Sequence, residues 1–237
     1  MHHALRVPAQ LALVLRRACA AAVMGLTLVC AAQPVIYDAT ADFTPNLPNP
    51  NGVWAYGYTT DLSAALTPFA GYTSDATAFG WSTNLALGAP AIFKVTGSFN
   101  GVAPGQLALH PGPTGEYAVL AFSAPAAGQY VLNAQFLAGD SGETDAAIVF
   151  NFISGSTPVV LPVGSTNGNP VLTNFDLFLD QGDQVRFAVG SFGSFLSDST
   201  PLTATLTFSP VPEPGAFALL LGLGGMAAAL VRRRRHS

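Results

Sequence analysis

Between residues 33 and 210, few side chains could carry out acid–base chemistry. His110 is the only histidine in this range, and Glu116 and Glu143 are its only glutamates. A pair of carboxylates in a cleft would suit glycoside hydrolysis, in which one acid protonates the leaving oxygen. His110 lies in the turn-like sequence Leu-His-Pro-Gly-Pro, where a structural hydrogen bond is the expected role. No Gly-x-Ser-x-Gly sequence is present to hold a serine nucleophile, so we expect no catalytic site.

The segment from Asp140 to Asp145 is rich in oxygen ligands. Asp140, Glu143 and Asp145 are accompanied there by a serine and a threonine. Oxygen ligands of this kind suit Ca²⁺, although the acidic spacing is not that of an EF-hand loop. A solvated turn before a strand at residues 146–150 would account for the same composition. We expect the turn and keep a structural calcium ion as the alternative; no other cofactor is indicated.

A row of aromatic residues is the third candidate site. Trp54, Tyr56 and Tyr58 occupy alternate positions, with Ala55 and Gly57 between them. On a strand, the three rings would lie on one face. Such a row can stack on sugar rings, and it can also pack into the core of a sandwich. We expect the core role and keep sugar stacking as the alternative.

The elements that would position these residues are visible as alternating patterns. Residues 202–208 alternate apolar side chains with threonine, which is typical of a half-buried strand. Further strand-like runs are separated by Gly, Pro, Asn or Asp clusters at a spacing of about ten residues. They cover residues 117–123, 129–137, 146–153, 158–163, 171–179 and 185–189. The pattern predicts an all-β fold, an antiparallel β-sandwich of jelly-roll type.

The C-terminal segment, residues 211–237, has three successive parts. A Val-Pro-Glu-Pro sequence comes first, and a helix can begin only after it, because proline disfavours helical geometry in the residue before it. Sixteen uncharged residues follow, from Ala216 to Val231. As a helix they would span about 24 Å, somewhat less than the hydrocarbon core of a bilayer. Four arginines come next, and the positive-inside rule places them in the cytoplasm. The motif is Val211, Pro212, Glu213 and Pro214, and the basic cluster is Arg232, Arg233, Arg234 and Arg235.

This combination of motif, apolar helix and basic cluster resembles the PEP-CTERM sorting signal of Gram-negative bacteria. In proteins that carry the signal, an exosortase in the inner membrane recognises the tail and cleaves near the motif. The resemblance implies that the chain is exported through the inner membrane and anchored transiently by its C-terminal transmembrane helix. It would then be released toward the cell surface or extracellular matrix. A permanent single-span anchor is the alternative.

The N-terminal residues predict export as well. Three arginines precede an apolar stretch at residues 18–32, which is the arrangement of a secretory signal peptide. We expect the secretion translocon to transport the chain and cleavage to follow Ala32. Cys19 and Cys30, the only cysteines, would be removed with the signal peptide. The mature chain would therefore have no disulfide, thiolate metal site or cysteine nucleophile.

The segment from 33 to 210 is far more acidic than the whole chain. It holds two basic residues, Lys94 and Arg186, and twelve acidic ones, for a formal charge of −10 against −4 for the whole chain. Nucleic-acid affinity depends largely on Lys and Arg neutralising phosphates. We therefore expect no nucleic-acid partner.

Several short sequences along this segment resemble a β-sandwich domain found in surface proteins of PEP-CTERM-bearing and related environmental bacteria. They are Asn49–Trp54, Tyr56–Tyr58, Leu109–Gly112, Phe122–Pro125, Gly128–Tyr130, Thr144–Asp145, Gln181–Asp183, Phe187–Gly190 and Asp198–Thr200. This family is generally regarded as non-catalytic, with a carbohydrate-module-like fold. The resemblance implies a binding or structural role and transfers no active-site residue. The chain departs from the family at Phe122, where tryptophan is often found.

These patterns divide the chain into a signal peptide at residues 1–32, a β-sandwich domain at 33–210 and a sorting tail at 211–237. We expect an exported, non-enzymatic protein of the cell surface or extracellular matrix. Its expected partners are the translocon, an exosortase-type membrane protease and exopolysaccharide. Two alternatives stay open. One is a secreted polysaccharide-acting enzyme, a glycoside hydrolase or lyase, and the other is a purely structural matrix or adhesion protein.

Overall fold

The computed structural model describes residues 33–44, 48–83, 90–97, 99, 101–137, 139, 144–155, 157–165, 171–210 and 224. Residues 34–210 form one compact unit, and residues 1–33 together with 211–237 form a second. The predicted signal peptide, sorting motif and arginine cluster lie outside the described residues, as does the predicted membrane helix apart from Gly224. Within the described part of the chain, no helix is long and apolar enough to cross a membrane.

Fourteen strands lie in the described residues of the larger unit. In chain order they are β1 (Val35–Asp38), β2 (Trp54–Thr59), β3 (Thr67–Pro68), β4 (Gly71–Ser74), β5 (Ala78–Ser82), β6 (Ala91–Val95), β7 (Leu107–His110), β8 (Tyr117–Ser123), β9 (Gly128–Phe136), β10 (Thr144–Asn151), β11 (Val159–Ser165), β12 (Val171–Leu179), β13 (Gln184–Ser191) and β14 (Thr200–Ser209). The first sheet has the order β12-β9-β14-β7-β6-β5-β4, with β1 also paired to β14. The second has the order β11-β10-β13-β8-β2-β3.

The strands from β7 to β14 form a jelly roll. β10 pairs with β11, β9 with β12, β8 with β13 and β7 with β14, every pair being antiparallel. The chain thus folds as one long hairpin whose successive pairs alternate between the two sheets, which is the topology of a jelly roll. The prediction of an all-β antiparallel sandwich is confirmed. The predicted strands from residue 117 onward all exist, with ends within about two residues of those predicted.

The main core lies between the two sheets and follows from residue alternation. On β14, Leu202, Ala204 and Leu206 are each at most 1 % exposed, and the threonines between them point outward. Aromatic and aliphatic side chains of the second sheet, such as Phe187 and Ile148, face them and are fully buried. Burial of this kind contributes about 1.5–3 kcal/mol for each large side chain.

A smaller core lies on the outer side of the first sheet. Phe93 on β6 and Ala108 on β7 belong to it, and Val102 covers them from the connection between these strands. The Phe99 ring completes the cover, with its centroid 5.4 Å from that of Phe93. This part of the outer surface is therefore closed to solvent.

The Asn-Pro-Asn-Gly-Val-Trp sequence at residues 49–54 ties the N-terminal strands together. Asn49 Nδ2 donates to the carbonyl oxygens of Tyr56 at 2.6 Å and of Phe69 at 2.9 Å. Asn49 Oδ1 accepts from Tyr56 N at 3.0 Å. A side chain at Gly57 would meet the Thr67 carbonyl at 2.3 Å, so β3 can approach β2 only because this residue is glycine. Sequences that marked the family resemblance thus have structural roles here.

Replacing Asn49 by alanine should lower the free energy of unfolding by about 2–4 kcal/mol, because three hydrogen bonds are lost and backbone groups are left unpaired. Urea denaturation followed by fluorescence would measure the change. Asn174→Ala is the matched control, since Asn174 is exposed on β12, and it should change stability by less than about 0.5 kcal/mol. Equal effects of the two substitutions would contradict the assigned role of Asn49.

Candidate functional site

The aromatic row on β2 is packed mainly inside the sandwich. Trp54 and Tyr56 are each 1 % exposed. The Trp54 ring meets Phe122 edge-on at a centroid distance of 5.3 Å, and Tyr56 stacks on Trp81 at 5.9 Å. Tyr58 is half-buried and packs against the same core. Since a sugar ring needs an open aromatic face, this arrangement supports the core role and not sugar stacking.

A pocket of about 460 Å³ opens beside this row. Trp54 Nε1 donates to Asp42 Oδ2 at 3.0 Å, and the backbone N of Asp38 donates to the same oxygen at 3.2 Å. Asn51 Nδ2 donates to Asp42 O and to Thr44 Oγ1, both at 3.2 Å. These polar groups bond to one another and hold the N-terminal segment on the sandwich. The pocket wall is therefore better suited to a structural role than to binding a polar ligand.

His110 lies at the end of β7, beside the residues that lead into β14. Its Nδ1 is 3.4 Å from Ser199 Oγ, longer than the roughly 2.6–3.2 Å expected between a nucleophile and its base. Ser199 is 3 % exposed and Asp198 is 1 % exposed, so a substrate would have to displace protein atoms to reach either side chain. His110 is the last residue of β7 and not part of the turn that its sequence predicts, and the geometry suits a structural hydrogen bond.

Glu116 is held as a hydrogen-bond acceptor in the turn before β8. Thr114 N donates to Glu116 Oε2 at 2.9 Å, and Thr114 Oγ1 donates to Glu116 Oε1. Burial raises the pKa of Glu116, but the bonds from Thr114 outweigh it and leave the pKa below its ordinary value. A general acid in glycoside hydrolysis needs the opposite shift. Glu143, the other glutamate considered for such a pair, lies outside the described residues.

Of the three carboxylates considered for calcium, only Asp145 lies in the described part of the chain. Asp145 Oδ2 accepts a bond from Tyr117 OH at 3.3 Å. Among the described residues, no group of three or more His, Cys, Asp or Glu side chains is placed to hold a metal ion. Asp140 and Glu143 are outside those residues, so the calcium site stays a prediction.

The two basic side chains of the acidic segment both bind backbone carbonyls. Lys94 Nζ donates to Thr40 O at 2.8 Å. Arg186 Nη1 donates to Ala64 O at 2.8 Å, and its Nε and Nη2 donate to Gln184 Oε1. Burial lowers the pKa of Arg186 from its ordinary value. Both cations thus hold connecting segments in place.

The part of the first sheet formed by β12, β9, β14 and β1 has an outer surface that we call the polar face. Strand alternation points Gln135, Asn133, Thr203 and Thr205 outward, opposite the buried core residues. The pairing registers align the outward residues in four rows across the strands. These rows are Leu172–Gln135–Thr203, Asn174–Asn133–Thr205–Asp38, Asp176–Val131–Thr207–Ile36 and Phe178–Gln129–Ser209.

Apart from Val131, the middle of the polar face consists of amides and hydroxyls, and larger apolar side chains lie at its margins. Asn174 Nδ2 donates to Asn133 Oδ1 across the strand pair. At the margins, Leu172 is 70 % exposed, Phe178 is 66 % exposed and Ile36 is 64 % exposed. These three side chains stand singly around the polar groups and do not form a continuous apolar patch.

A pocket of about 310 Å³ adjoins the polar face where β14 changes partner. β14 pairs with β7 over residues 200–202 and with β1 over residues 205–208. Thr203 and Thr205 on β14 line the pocket, together with Gly105 and Gln106 from the connection between β6 and β7. The pocket therefore closes one end of the two rows that hold Gln135 and Asn133.

Sequence analysis did not identify the polar face as a site. The alternation at 202–208 places its threonines on one side of the last strand. Polar residues also alternate on β9 and β12, but the sequence does not show that these strands are neighbours of the last one. Asn133, Gln135 and Asn174 occupy outward positions of two such strands. A search for polar residues at alternate positions of several strands could have suggested this surface, though not which strands are neighbours.

Comparison of the sequence with protein families gives one match. Residues 210–235 match the PEP-CTERM protein-sorting motif. The chain carries a PEP-CTERM sorting signal. The match includes the Pro-Glu-Pro sequence, the apolar segment and the arginine cluster, as the sequence resemblance predicts. The match covers the tail of the chain.

No curated protein matches this PEP-CTERM chain. Among solved structures, it is similar to a family 35 carbohydrate binding module from Clostridium thermocellum, with 18 % identity and a TM-score of 0.28. The match covers 76 % of this chain and 100 % of the module. It is also similar to a CBM35 from Cellvibrio japonicus Abf62, with 12 % identity and a TM-score of 0.27. That match covers 73 % of this chain and 92 % of the other.

An exo-β-1,3-galactanase from Phanerochaete chrysosporium is similar at 17 % identity and a TM-score of 0.30, over 57 % of this chain. The chain spans only 29 % of the length of that enzyme. At these values, the similarities say nothing about what this chain binds or whether it catalyses a reaction.

Replacing Trp54 by alanine should lower the free energy of unfolding by about 3–5 kcal/mol, because a fully buried ring and its bond to Asp42 are lost. The exposed Leu172→Ala is the control and should have an effect below about 0.5 kcal/mol. Denaturant titration of both variants would test this. A stable Trp54→Ala protein with unchanged midpoint would mean that the row is not part of the core.

Replacing Thr114 by valine should raise the pKa of Glu116, because the hydroxyl donor is removed while the backbone donor stays. A carbon-13 NMR titration of the glutamate carboxyls would follow the shift. In the wild type, the hydrogen bond stabilises the fold at pH values above the ordinary pKa of glutamate. This stabilisation is lost as the pH falls through the lowered pKa of Glu116 in the folded protein. The variant should therefore lose less stability on acidification than the wild type. Thr203→Val, on the polar face, is the control, and an equal pKa change in both variants would contradict the assignment.

Proposed function

We propose that this chain is an exported, non-enzymatic protein of the cell surface or extracellular matrix that associates with exopolysaccharide. The sorting signal at residues 210–235 is the observation that carries the proposal. An exosortase-type membrane protease would act on the tail after the translocon has delivered the chain. The sandwich would then remain outside the inner membrane as the working part of the protein.

The surroundings of Glu116 and His110, the residues considered for catalysis, support a non-enzymatic role. Within the described residues, Glu116 is bound by Thr114 with its pKa lowered, and His110 contacts a serine that is almost fully buried. Neither arrangement suits a general acid or an activated nucleophile. The acidic segment also has no free cationic cluster of the kind that binds phosphate or nucleic acid, since Lys94 and Arg186 bond to backbone carbonyls.

Association with polysaccharide is supported by the polar face. Its amides and hydroxyls can donate and accept hydrogen bonds with sugar hydroxyls, and its exposed apolar side chains can contact the C–H faces of sugar rings. The role of the sandwich would therefore be to hold the released protein on a glycan.

Replacing Pro212, Glu213 and Pro214 together by alanine should abolish delivery to the cell surface, because the protease would no longer recognise the tail. Immunoblots of membrane and surface fractions should show the full-length chain retained in the membrane. Alanine substitution of exposed Thr73 and Ser74 on β4 is the control and should leave delivery unchanged. Normal surface delivery of the Pro-Glu-Pro variant would overturn the sorting role of this tail.

Incubation of residues 33–210 with the exopolysaccharide of the producing organism distinguishes binding from hydrolysis. The protein should be retained by the polysaccharide without releasing reducing ends. Release of reducing ends that is abolished by Glu116→Gln or His110→Ala would establish an enzyme instead. If the polysaccharide does not retain the protein and no reducing ends are released, only the purely structural alternative is left.

A further inference from the structure

We propose that the polar face binds an uncharged, extended polysaccharide chain, with the pocket beside Thr203 receiving one end of the bound segment. This inference rests on the proposed association with exopolysaccharide and adds the surface and the class of glycan.

The spacing of the polar groups suits a polymer of sugar rings. Neighbouring strands lie about 4.8 Å apart, so the row Asn174–Asn133–Thr205–Asp38 presents a polar side chain at every strand it crosses. That interval is close to the length of one ring in an extended glycan. Along the row of Asn174, Asn133 and Thr205, amides and a hydroxyl offer both donors and acceptors. A chain lying along this row could therefore meet one polar side chain for each sugar.

The margins of the face supply contacts for the apolar sides of sugar rings. Leu172 and Phe178 stand at opposite ends of β12, six residues apart, which separates them by about 20 Å along the strand. Ile36 lies on the far side, on β1. A glycan lying along the row of Asn174 and Asn133 would have Leu172 in the adjacent row on one side and Ile36 in the adjacent row on the other. Protein-binding surfaces have the reverse arrangement, with an apolar centre and a polar rim.

The charge of the face selects against acidic glycans. Among its described residues the face has two carboxylates, Asp38 and Asp176, and no basic side chain. Asp38 Oδ1 already accepts bonds from the backbone N of Thr40 at 2.9 Å and of Ala41 at 3.0 Å. Arg186 bonds to a backbone carbonyl elsewhere, and Lys94 Nζ donates to the carbonyl of Thr40, which lines the pocket at the end of the rows. A uronic acid or sulfate lying along the rows would therefore meet the carboxylates of Asp38 and Asp176 with no basic side chain among the described residues of the rows.

The pocket of about 310 Å³ closes the end of the rows nearest β7. Gly105 and Gln106, on the connection between β6 and β7, form part of its wall. This volume is at the lower end of those found for small-molecule sites. The rows are open on the β12 side, which is the edge of the sheet. One end of the glycan would lie against the wall, and the rest of the chain would leave over the edge strand.

The test uses residues 33–210, since residues 34–210 form a compact unit with their own core. The exopolysaccharide of the producing organism is separated on an anion exchanger into neutral and acidic fractions, and each fraction serves as the probe in affinity electrophoresis. The triple variant Gln135→Ala, Asn174→Ala, Thr203→Val removes polar groups from three strands of the face. The control variant Thr73→Val, Gln181→Ala changes similar exposed residues elsewhere.

The wild type and the control variant should be retained by the neutral fraction, and retention should be unchanged when the salt concentration is raised. The triple variant should bind at least about tenfold more weakly, which corresponds to about 1.4 kcal/mol. Circular dichroism and melting curves of all three proteins establish that the variants are folded.

Two results would overturn the inference while leaving the proposed function standing. One is unchanged retention of a folded triple variant, and the other is retention of the wild type by the acidic fraction alone. If the wild type is retained by neither the neutral nor the acidic fraction, both this inference and the proposed association with polysaccharide are overturned. In that case, concentration-dependent dimerisation would assign the exposed β12 edge to pairing between copies of this chain.

Discussion

Side chains on β9, β12 and β14 point alternately into the core and out to solvent, so one strand register fixes two surfaces at once. Leu132, Leu202 and Leu206 are fully or almost fully buried because of this register. The same register aligns Asn133, Asn174 and Thr205 in one outward row. A slip of one residue would bury the amides and expose the leucines. The candidate binding surface is therefore as well determined as the core behind it.

The unusual charge balance of the sandwich is compatible with this arrangement. A segment with two basic and twelve acidic side chains has few ion pairs available to it. Its cations hold backbone carbonyls, and acidic residues such as Asp183 hold backbone amides. Asp183 accepts from Ile153 N at 2.7 Å and from Asp180 N at 2.8 Å. Net negative charge keeps such a protein soluble and would keep it away from acidic polymers.

The sequence predicts the jelly roll well where strands are long and alternate clearly. Residues 202–208 and 171–179 fall within the observed β14 and β12. β3 to β7 were not predicted, because they are short and because β4 and β5 contain Gly, Ser and Thr that equally suit loops. Alternation also could not decide whether the rings of Trp54 and Tyr56 face a core or solvent. The polar face could not be predicted from the sequence, because Gln135, Asn174 and Thr203 become neighbours only through pairing of strands that are distant in sequence.

The most direct test of polysaccharide binding at the polar face is an NMR titration of residues 33–210 with the neutral exopolysaccharide fraction. The side-chain amide signals of Asn133, Gln135 and Asn174 should shift with a single saturating dependence on glycan concentration. The indole signal of the buried Trp54 and the ring signals of His110 should not move. Shifts at Trp54 or His110 with an unchanged polar face would contradict the assignment and place the glycan elsewhere on the sandwich.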